Sequence, residues 1–350
     1  MTKIGILLIF STFAAADPIY TVVGLGVGPG SSTGYAVNSA GTVAGAVQSA
    51  SGSQQAFVSG PEGAAILSPA SSESYAYGIN NAGTAVGIVY LDGQAYGTIW
   101  NGSQPTQLGA GSYATAINNE GEVAGGNGQA FIEANGQIQE LSTAPGIGWS
   151  AAYGINDSGT VVGDGQLSNG TFRGIVWSPD GGMVVLGTWG GTSSQATAVS
   201  DGGEVVGFAS LANGYQHAFS MLDAMMIDLG TLGLSSYAYG VNDSGEVVGY
   251  SYLDNGQQQA FLYDDGTMFN LNSLLPTDSG WHLMAAYGIN DAGQITGVGL
   301  YDGQLTAFLL TDPPPPTMNP SAVPEPSQLW ILVAAAAAMA LARIRRARYS

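Results

Sequence analysis

The sequence predicts an all-β fold made of repeated four-stranded units. Three observations support this prediction: a turn signature that returns at a near-constant spacing, a composition rich in glycine and poor in charge, and no helical stripe between residues 17 and 312. Glycine supplies 54 of the 350 residues, and only 9% of residues are charged. This composition is typical of many short strands joined by tight turns. Seven copies of the signature predict a seven-bladed β-propeller.

The signature is clearest in the stretch Gly154–Gly163, which reads Gly-Ile-Asn-Asp-Ser-Gly-Thr-Val-Val-Gly. Asn156 can cap its own backbone, and Gly159 follows three residues later, where a positive φ is needed. This pattern is typical of a type I turn that closes into a glycine bulge. The β-branched residues that follow predict an extended strand, so each signature marks a β-hairpin.

The spacing of the signatures defines the repeat. The asparagine position averages one occurrence every 42 residues, and a serine replaces it in the fifth unit. A period of this size indicates an array of supersecondary units that pack against each other. The seven positions are Asn38, Asn80, Asn118, Asn156, Ser200, Asn242 and Asn290.

Each unit divides into four strand-like pieces, which is the content of a propeller blade. In the sixth unit these pieces are residues 239–241, 246–251, 259–263 and 268–271. The seventh unit has only three pieces before a row of prolines, which cannot continue a sheet. The segment 19–26 resembles a fourth strand, and its pairing with the last blade would close the ring. An open β-solenoid is the competing architecture.

The N-terminus predicts a signal peptide over residues 1–16. Lys3 precedes an apolar run that is too short to span a bilayer, and Ala14–Ala16 provide a small-residue cleavage site before Asp17. The alternative is a hydrophobic strand at the start of a repeat. We therefore expect an exported protein whose propeller spans residues 17–312.

The C-terminus has a different composition. A proline-rich spacer covers residues 313–322, and 14 apolar residues follow at 329–342. This segment is short for a permanent membrane span, and the arginines after it mark the cytoplasmic side. We expect membrane contact only here, as a transient inner-membrane anchor.

Residues 323–350 resemble the PEP-CTERM sorting signal. The resemblance rests on a Val-Pro-Glu-Pro motif, the apolar segment and an arginine-rich end, in that order. It implies processing by an exosortase-type enzyme after signal peptidase, in a Gram-negative cell that makes exopolysaccharide, and sorting to the envelope, outer surface or matrix. The matching residues are Val323, Pro324, Glu325 and Pro326, then Arg343, Arg345 and Arg346.

A second resemblance covers roughly residues 20–310 and concerns the extracellular HAF repeat. It rests on the Asn-x-x-Gly turn and on a recurrent Ala-Phe pair, which keeps the defining histidine only in His217-Ala218-Phe219. The family implies no known catalytic activity. The other pairs are Ala56-Phe57, Ala130-Phe131, Ala260-Phe261 and Ala307-Phe308.

Composition excludes several kinds of chemistry. The formal net charge is −19, and five of the six basic residues lie in the end segments, which argues against nucleic acid as a partner. Cysteine is absent, and the only histidines, His217 and His282, occupy different repeat positions, so we predict no catalytic residues and no metal centre. Acidic turns could bind calcium, but the Asp-x-Asp-x-Asp-Gly loop is missing.

The strand order predicts that one face of the ring carries the binding function. The Asn-x-x-Gly and Asp-Gly turns share one face, here called the bottom, and the longer connections share the other face, the top. Trp149, Trp189 and Trp281 lie in these longer connections. An exposed tryptophan can stack on a sugar ring, although one in such a place can also fold onto its own blade.

Three functions compete at this point. The first is a non-enzymatic binding or matrix component of the cell envelope or exopolysaccharide, in contact with neutral glycan or with calcium-bridged polymer. The second is a propeller-type polysaccharide lyase or glycosidase, which would need convergent charged residues at the mouth of the ring. The third is a purely structural coat component.

Overall fold

The computed structural model describes residues 20–69, 72–102 and 104–312. These residues form seven four-stranded antiparallel sheets and a single 3₁₀ turn, which confirms the predicted seven-bladed, all-β propeller. In six sheets the strands follow chain order from the inner to the outer edge, and the seventh sheet takes its outer strand from the N-terminal end of the described chain.

The strands are short, as the tight turns require. Blade 1 contains β2 (Ser32–Val37), β3 (Val43–Gln48), β4 (Gln54–Gly60) and β5 (Gly63–Ile66). Blade 2 contains β6 (Glu73–Ile79), β7 (Ala85–Leu91), β8 (Gln94–Asn101) and β9 (Gln104–Ala110). Blade 3 contains β10 (Tyr113–Ile117), β11 (Val123–Gly126), β12 (Ala130–Ala134) and β13 (Gln137–Glu140).

The remaining blades repeat this plan. Blade 4 contains β14 (Ile147–Ile155), β15 (Val161–Leu167), β16 (Phe172–Trp177) and β17 (Met183–Val185). Blade 5 contains β18 (Gly190–Val199), β19 (Val205–Leu211), β20 (Gln216–Leu222) and β21 (Met225–Asp228). Blade 6 contains β22 (Ser236–Val241), β23 (Val247–Tyr252), β24 (Gln258–Asp264) and β25 (Thr267–Asn270), followed by the 3₁₀ turn Leu271–Leu274. Blade 7 contains β26 (Trp281–Ile289), β27 (Ile295–Tyr301), β28 (Gln304–Thr311) and β1 (Thr21–Gly24).

Ring closure occurs as predicted. Strand β1 pairs antiparallel with β28, with Thr21 opposite Thr311 and Gly24 opposite Phe308. The pairing covers an edge that would otherwise expose unpaired backbone groups. Tyr20, just before β1, is buried in the core of this last blade, so the N-terminal segment adds packing as well as hydrogen bonds.

The turn signature folds as its residues require. In blade 4 the Oδ1 atom of Asn156 accepts the backbone N–H of Thr160 over 2.8 Å, and Gly159 takes a φ of +80°. Just before this turn, the inner strand bulges between Ala152 and Gly154. A Cβ on Gly163 would lie 1.9 Å from the carbonyl oxygen of Ala151, so only glycine fits opposite the bulge.

The same asparagines join the blades at the bottom face. Each side-chain amide donates to the backbone carbonyl of the equivalent residue in the next blade; Asn156 Nδ2, for example, donates to Ser200 O over 2.9 Å. Asn290 donates to Asn38 O and completes the circle between the last blade and the first. Because Ser200 has no amide to donate, the described contacts contain no such bond from blade 5 to blade 6. The donors are Asn38, Asn80, Asn118, Asn156, Asn242 and Asn290.

Buried serines join the blades near the top face. Each lies near the start of an inner strand and accepts, through its hydroxyl, the backbone N–H of the third strand of the preceding blade. Ser32 accepts from Ala307 in this way and again links the last blade to the first. Between blades 6 and 7 the direction is reversed, because Leu283 N of the inner strand donates to Asn272 Oδ1 of the 3₁₀ turn that follows blade 6. The serines are Ser32, Ser74, Ser112, Ser150, Ser194 and Ser236.

The core lies between the blades and depends on the recurrent Ala-Phe pair of the third strands. The five phenylalanines are fully buried, and burial of such a side chain stabilises the fold by about 1.5–3 kcal/mol. Gly97-Thr98 and Gly174-Ile175 occupy the equivalent positions in blades 2 and 4. The five are Phe57, Phe131, Phe219, Phe261 and Phe308.

The predicted end segments lie outside the described residues. This applies to the signal peptide at 1–16, the spacer at 313–322, and the sorting signal at 323–350 with its apolar segment at 329–342. Among the residues that the structure describes, no helix is long and apolar enough to cross a membrane.

Candidate functional site

The inner strands of all seven blades surround a central channel. Its bottom end opens into a cavity of about 170 Å³ that is lined by residues from every blade. Three residues before each turn asparagine or serine, the inner strand carries a large or hydroxylated side chain. These residues are Tyr35, Tyr77, Thr115, Tyr153, Thr197, Tyr239 and Tyr287.

One side of the channel is aromatic. Tyr35 contacts Tyr77 and Tyr287, with ring centroids 5.3 and 5.8 Å apart, and Tyr287 contacts Tyr239 at 5.4 Å. These contacts continue through half-buried rings on blades 2, 6 and 5, so they form one connected surface, here called the aromatic arc. Its members are Tyr35, Tyr75, Tyr77, Phe208, Tyr237, Tyr239, Tyr250, Tyr252 and Tyr287.

Three tyrosine hydroxyls of this arc, on Tyr35, Tyr239 and Tyr287, stay protonated under ordinary conditions. Burial raises the pKa of Tyr35 to about 12, and the nearby Tyr287 contributes to the rise. Burial also raises the pKa of Tyr239 and of Tyr287. The arc therefore presents apolar ring faces together with neutral hydroxyl groups, which can donate or accept hydrogen bonds.

The opposite side of the channel is polar, and its side chains form what is here called the polar arc. Thr115 and Thr197 each donate a hydroxyl hydrogen bond to a carbonyl of the next blade, to Ala152 and Ala238 respectively, both over 2.8 Å. The other members are Tyr113, Tyr153, Asp164 and Gln195, which come from blades 3, 4 and 5.

Asp164 is the only charged member of the polar arc. It lies on β15, one strand back from the channel, and is 3% exposed. Tyr153 Oη donates to its Oδ1 atom over 3.1 Å, and Gln195 Nε2 donates to its Oδ2 atom over 2.7 Å. Burial raises the pKa of this carboxyl to about 6, and the two hydrogen bonds oppose the rise.

No cation balances this carboxylate among the residues that the structure describes. Arg173, the one basic residue between β1 and β28 apart from histidine, directs its guanidinium to the backbone carbonyls of Phe172 and Thr192. The only ion pair within the described chain joins His217 Nδ1 to Asp228 at 2.9 Å. A buried, unpaired carboxylate is costly, so its presence calls for an explanation.

Acidic side chains also surround the bottom end of the channel. Asp157 N donates to Asp201 Oδ1 over 2.7 Å, and Asp243 N donates to Asp291 Oδ1 over 3.0 Å. Burial and the neighbouring carboxylates raise the pKa of Asp201, while the hydrogen bond from Asp157 N lowers it. These carboxylates hold adjacent turns together. Within the described chain no three histidine, cysteine or acidic side chains are placed to hold a metal ion.

A larger cavity of about 780 Å³ lies between blades 3 and 4 and is lined in part by the bottom turns. Glu120, Glu122, Glu140 and Asp157 are among its lining residues. Two of these acids have structural partners: Glu122 accepts from Asn118 Nδ2, and Asp157 accepts from Asn119 N. None of the residues that line this cavity belongs to the aromatic or polar arc, and two of its carboxylates bond to the bottom turns.

The three predicted binding tryptophans lie at the top of their blades but are half-buried. Trp149 lies within β14 and contacts Phe172 edge-on, with centroids 6.0 Å apart. Trp281 begins β26 and stacks on Tyr301 at 4.9 Å, and Trp189 packs against the core between blades 4 and 5. The expected loops are shorter than predicted because the long inner strands β14, β18 and β26 extend the pairing upwards. Their role in binding stays a prediction.

The channel site was missed by the sequence analysis, although part of it left a signal. Tyrosine precedes the turn asparagine by three residues in five of the seven units. A Tyr-x-x-Asn pattern at this frequency indicates a shared lining position. Asp164 left no such signal, because its contact with Gln195 joins residues 31 positions apart on different blades.

The fold and channel define a seven-bladed β-propeller with an aromatic and a polar side. Residues 187–308, which cover most of blades 5–7, match the model of a family described as a protein of unknown function (DUF3466). No curated protein matches the chain in sequence.

Solved structures of low sequence identity share the propeller fold. A puromycin-hydrolyzing peptidase from Mycobacterium tuberculosis is 13% identical, with a TM-score of 0.53; the match covers 80% of this chain and 50% of the peptidase chain. The gluconolactonase XC5397 from Xanthomonas campestris is 11% identical, with a TM-score of 0.45, over 85% of this chain and 92% of that chain. TolB from Acinetobacter baumannii is 10% identical, with a TM-score of 0.43, over 65% of this chain and 63% of that chain. These similarities concern the fold alone.

Proposed function

We propose that this protein is an exported, surface-sorted binding component of the cell envelope or exopolysaccharide, and that it binds glycan at the top of the central channel. The observation that carries the proposal is the division of the channel into an aromatic and a polar arc. A sugar ring has an apolar face and a rim of hydroxyls, so it can stack on tyrosine while its hydroxyls bond to polar groups.

The electrostatics of the chain support a neutral or cationic glycan. The formal net charge is −19, and most basic residues lie outside the propeller. An anionic polymer would be repelled at low salt unless divalent cations bridged it to the protein. Calcium is therefore one variable of the binding test, and we propose no dedicated metal centre.

The proposed export and sorting follow from the end segments. A signal peptide at 1–16 would direct secretion, and the segment 323–350 would provide a transient inner-membrane anchor for an exosortase-type enzyme. Strand β1 begins, and strand β28 ends, at the bottom of blade 7. An anchor that follows β28 would thus leave the top face and its channel free to meet extracellular polymer.

A binding role suits the site better than catalysis does. A lyase or glycosidase uses at least two convergent charged groups, and the polar arc holds one carboxylate, Asp164, without a basic partner. Weak binding at each site is sufficient for a surface protein, because dense display multiplies the overall avidity.

The test measures retention of the purified full chain on exopolysaccharide from the producing cells, with and without calcium. Tyr75 and Tyr252 lie on blades 2 and 6 of the aromatic arc, and their joint replacement by alanine should lower retention at least tenfold. Trp149, Trp189 and Trp281 are replaced together by phenylalanine in a second variant, which keeps their packing while reducing the stacking surface.

The matched control is Tyr215→Ala. Tyr215 is an exposed tyrosine on the top face of blade 5, and its ring makes none of the contacts that form the aromatic arc. Equal retention of the control and the double variant would contradict binding at the channel. Shortening of the polymer by the unmodified protein would instead support the lyase or glycosidase alternative.

A further inference from the structure

The seven blades provide an internal comparison for the position of Asp164. In every blade the same register pairs an inner-strand residue with a residue of the second strand. At the second-strand position the other six blades have small, apolar or aromatic side chains, so the fold itself does not require an acid there. These residues are Ala46, Ile88, Gly126, Phe208, Tyr250 and Val298.

Gln195, beside Asp164, also differs from the residue at its position in every other blade, whereas Tyr153 is the usual tyrosine of its position. Gln195 occupies the inner-strand position of blade 5, and its amide is used to hold the carboxylate. Tyr153 lies on the channel side and donates its hydroxyl hydrogen to the same carboxylate. Departures from a repeat that bury an unpaired charge are expected at functional positions.

We infer that the polar arc recognises the protonated amine of an amino sugar, which meets the hydroxyl oxygen of Tyr153 with the Asp164 carboxylate behind it. This inference rests on the proposed function and specifies its ligand. Because Tyr153 donates its hydroxyl hydrogen to Asp164, its oxygen can accept an ammonium N–H through a lone pair. The negative charge of Asp164 would strengthen this contact, since a charge-assisted hydrogen bond is stronger than a neutral one.

The aromatic arc fits the rest of such a ligand. An unacetylated hexosamine unit carries one cationic amine on a ring whose apolar face can stack on tyrosine. Cations are also attracted to tyrosine faces, and the acidic propeller raises the local concentration of cationic polymers. N-acetylation would remove the charge and enlarge the group, so the acetylated unit provides a close chemical comparison.

The experiment compares a glucosamine tetramer with an N-acetylglucosamine tetramer by calorimetric titration of the full chain at pH 7. The unmodified protein should bind the glucosamine tetramer about tenfold more tightly or better. Asp164→Asn and Tyr153→Phe should each remove this preference, so that the ratio of the two affinities falls to about one. Both substitutions nearly preserve side-chain shape, and thermal melting checks that each variant is folded.

Glu62→Gln is the matched control, because it removes one negative charge from an exposed turn at the bottom of blade 1. If Glu62→Gln and Asp164→Asn weaken glucosamine binding equally, the attraction is general and the inference is wrong. Equal affinity of the unmodified protein for both tetramers would also overturn the inference while leaving glycan binding in place. Absence of binding to either tetramer, together with equal exopolysaccharide retention by the aromatic-arc variant and its control, would overturn the proposed function as well.

Discussion

The asparagine ring at the bottom face gives a direct test of what holds the blades together, through the substitution Asn156→Ala. Asn156 is buried, and its Oδ1 atom accepts from Thr160 N and from Ser158 Oγ, both over 2.8 Å. Its Nδ2 atom donates to Ser200 O over 2.9 Å. The substitution removes all three bonds, one of which joins blade 4 to blade 5.

The expected loss follows from these bonds. A typical net contribution is about 1 kcal/mol per hydrogen bond, and the exposed Ser158 hydroxyl can turn to water, so the free energy of unfolding should fall by about 2–3 kcal/mol. For a domain of this size the melting temperature should fall by about 5 °C. Urea unfolding followed by circular dichroism measures the first quantity, and calorimetry measures the second.

Asn213→Ala is the control for this measurement. Asn213 lies in an exposed turn at the top of blade 5, where its Oδ1 atom accepts one backbone N–H, from Tyr215, over 3.0 Å. This substitution should cost about 1 kcal/mol or less. If Asn156→Ala destabilises the protein no more than Asn213→Ala does, the asparagine ring does not stabilise the contact between blades.

Three further predictions concern the same structure. Ser200→Asn should supply the donor that is missing between blades 5 and 6 and raise the free energy of unfolding by about 1 kcal/mol, and an unchanged urea midpoint would contradict this. Burial raises the pKa of Asp164 from 3.8 to about 6, so the native state binds its proton more tightly than the unfolded state does, and Asp164 lowers stability as pH rises from about 4 to 6. Between pH 4 and pH 7, the free energy of unfolding of Asp164→Asn, measured in urea titrations, should therefore rise by about 2 kcal/mol relative to that of the unmodified protein. A difference between the two proteins that stays constant with pH would refute the burial argument. In a host with the matching sorting enzyme, mass spectrometry should find an N-terminus at Asp17 and no Arg343–Arg348 cluster, whereas intact arginines on surface protein would contradict sorting.

Local chemistry explains why the blade count and ring closure could be predicted from the sequence. The residues that form each turn are adjacent in the chain, and Gly159 takes the positive φ that its position requires. In the sixth unit the predicted pieces fall within three residues of the observed strand bounds. A count of strand-like pieces gave the last unit only three, and the N-terminal segment offered a fourth, so the pairing of β1 with β28 could be predicted.

The channel site could not be predicted in the same way, because it depends on register between distant segments. A bulge in the inner strand places Ala151 opposite Asp164 and shifts the side chains that follow it. One residue of shift would turn each side chain to the other face of the sheet. For the tryptophans, the sequence predicted the position at the top face but not the burial. Extension of β14 pairs Trp149 with Gln166 and leaves its side chain half-buried.

In a repeat protein, comparison of equivalent positions in different repeats helps to distinguish structural residues from functional ones. Where the blades agree, as at the turn asparagines and the buried phenylalanines, the shared contact explains the residue. Where a blade departs, the residue needs a separate reason. Asp164, Gln195 and Ser200 are such departures, and they lie on adjacent blades. Blade 5 thus contributes an amide to the polar arc and lacks the asparagine bond to blade 6. The gap in the described asparagine ring therefore borders the side of the channel that we propose binds ligand. We therefore expect the departures that serve the proposed binding to lie on blades 4 and 5, with the aromatic arc as the opposite wall.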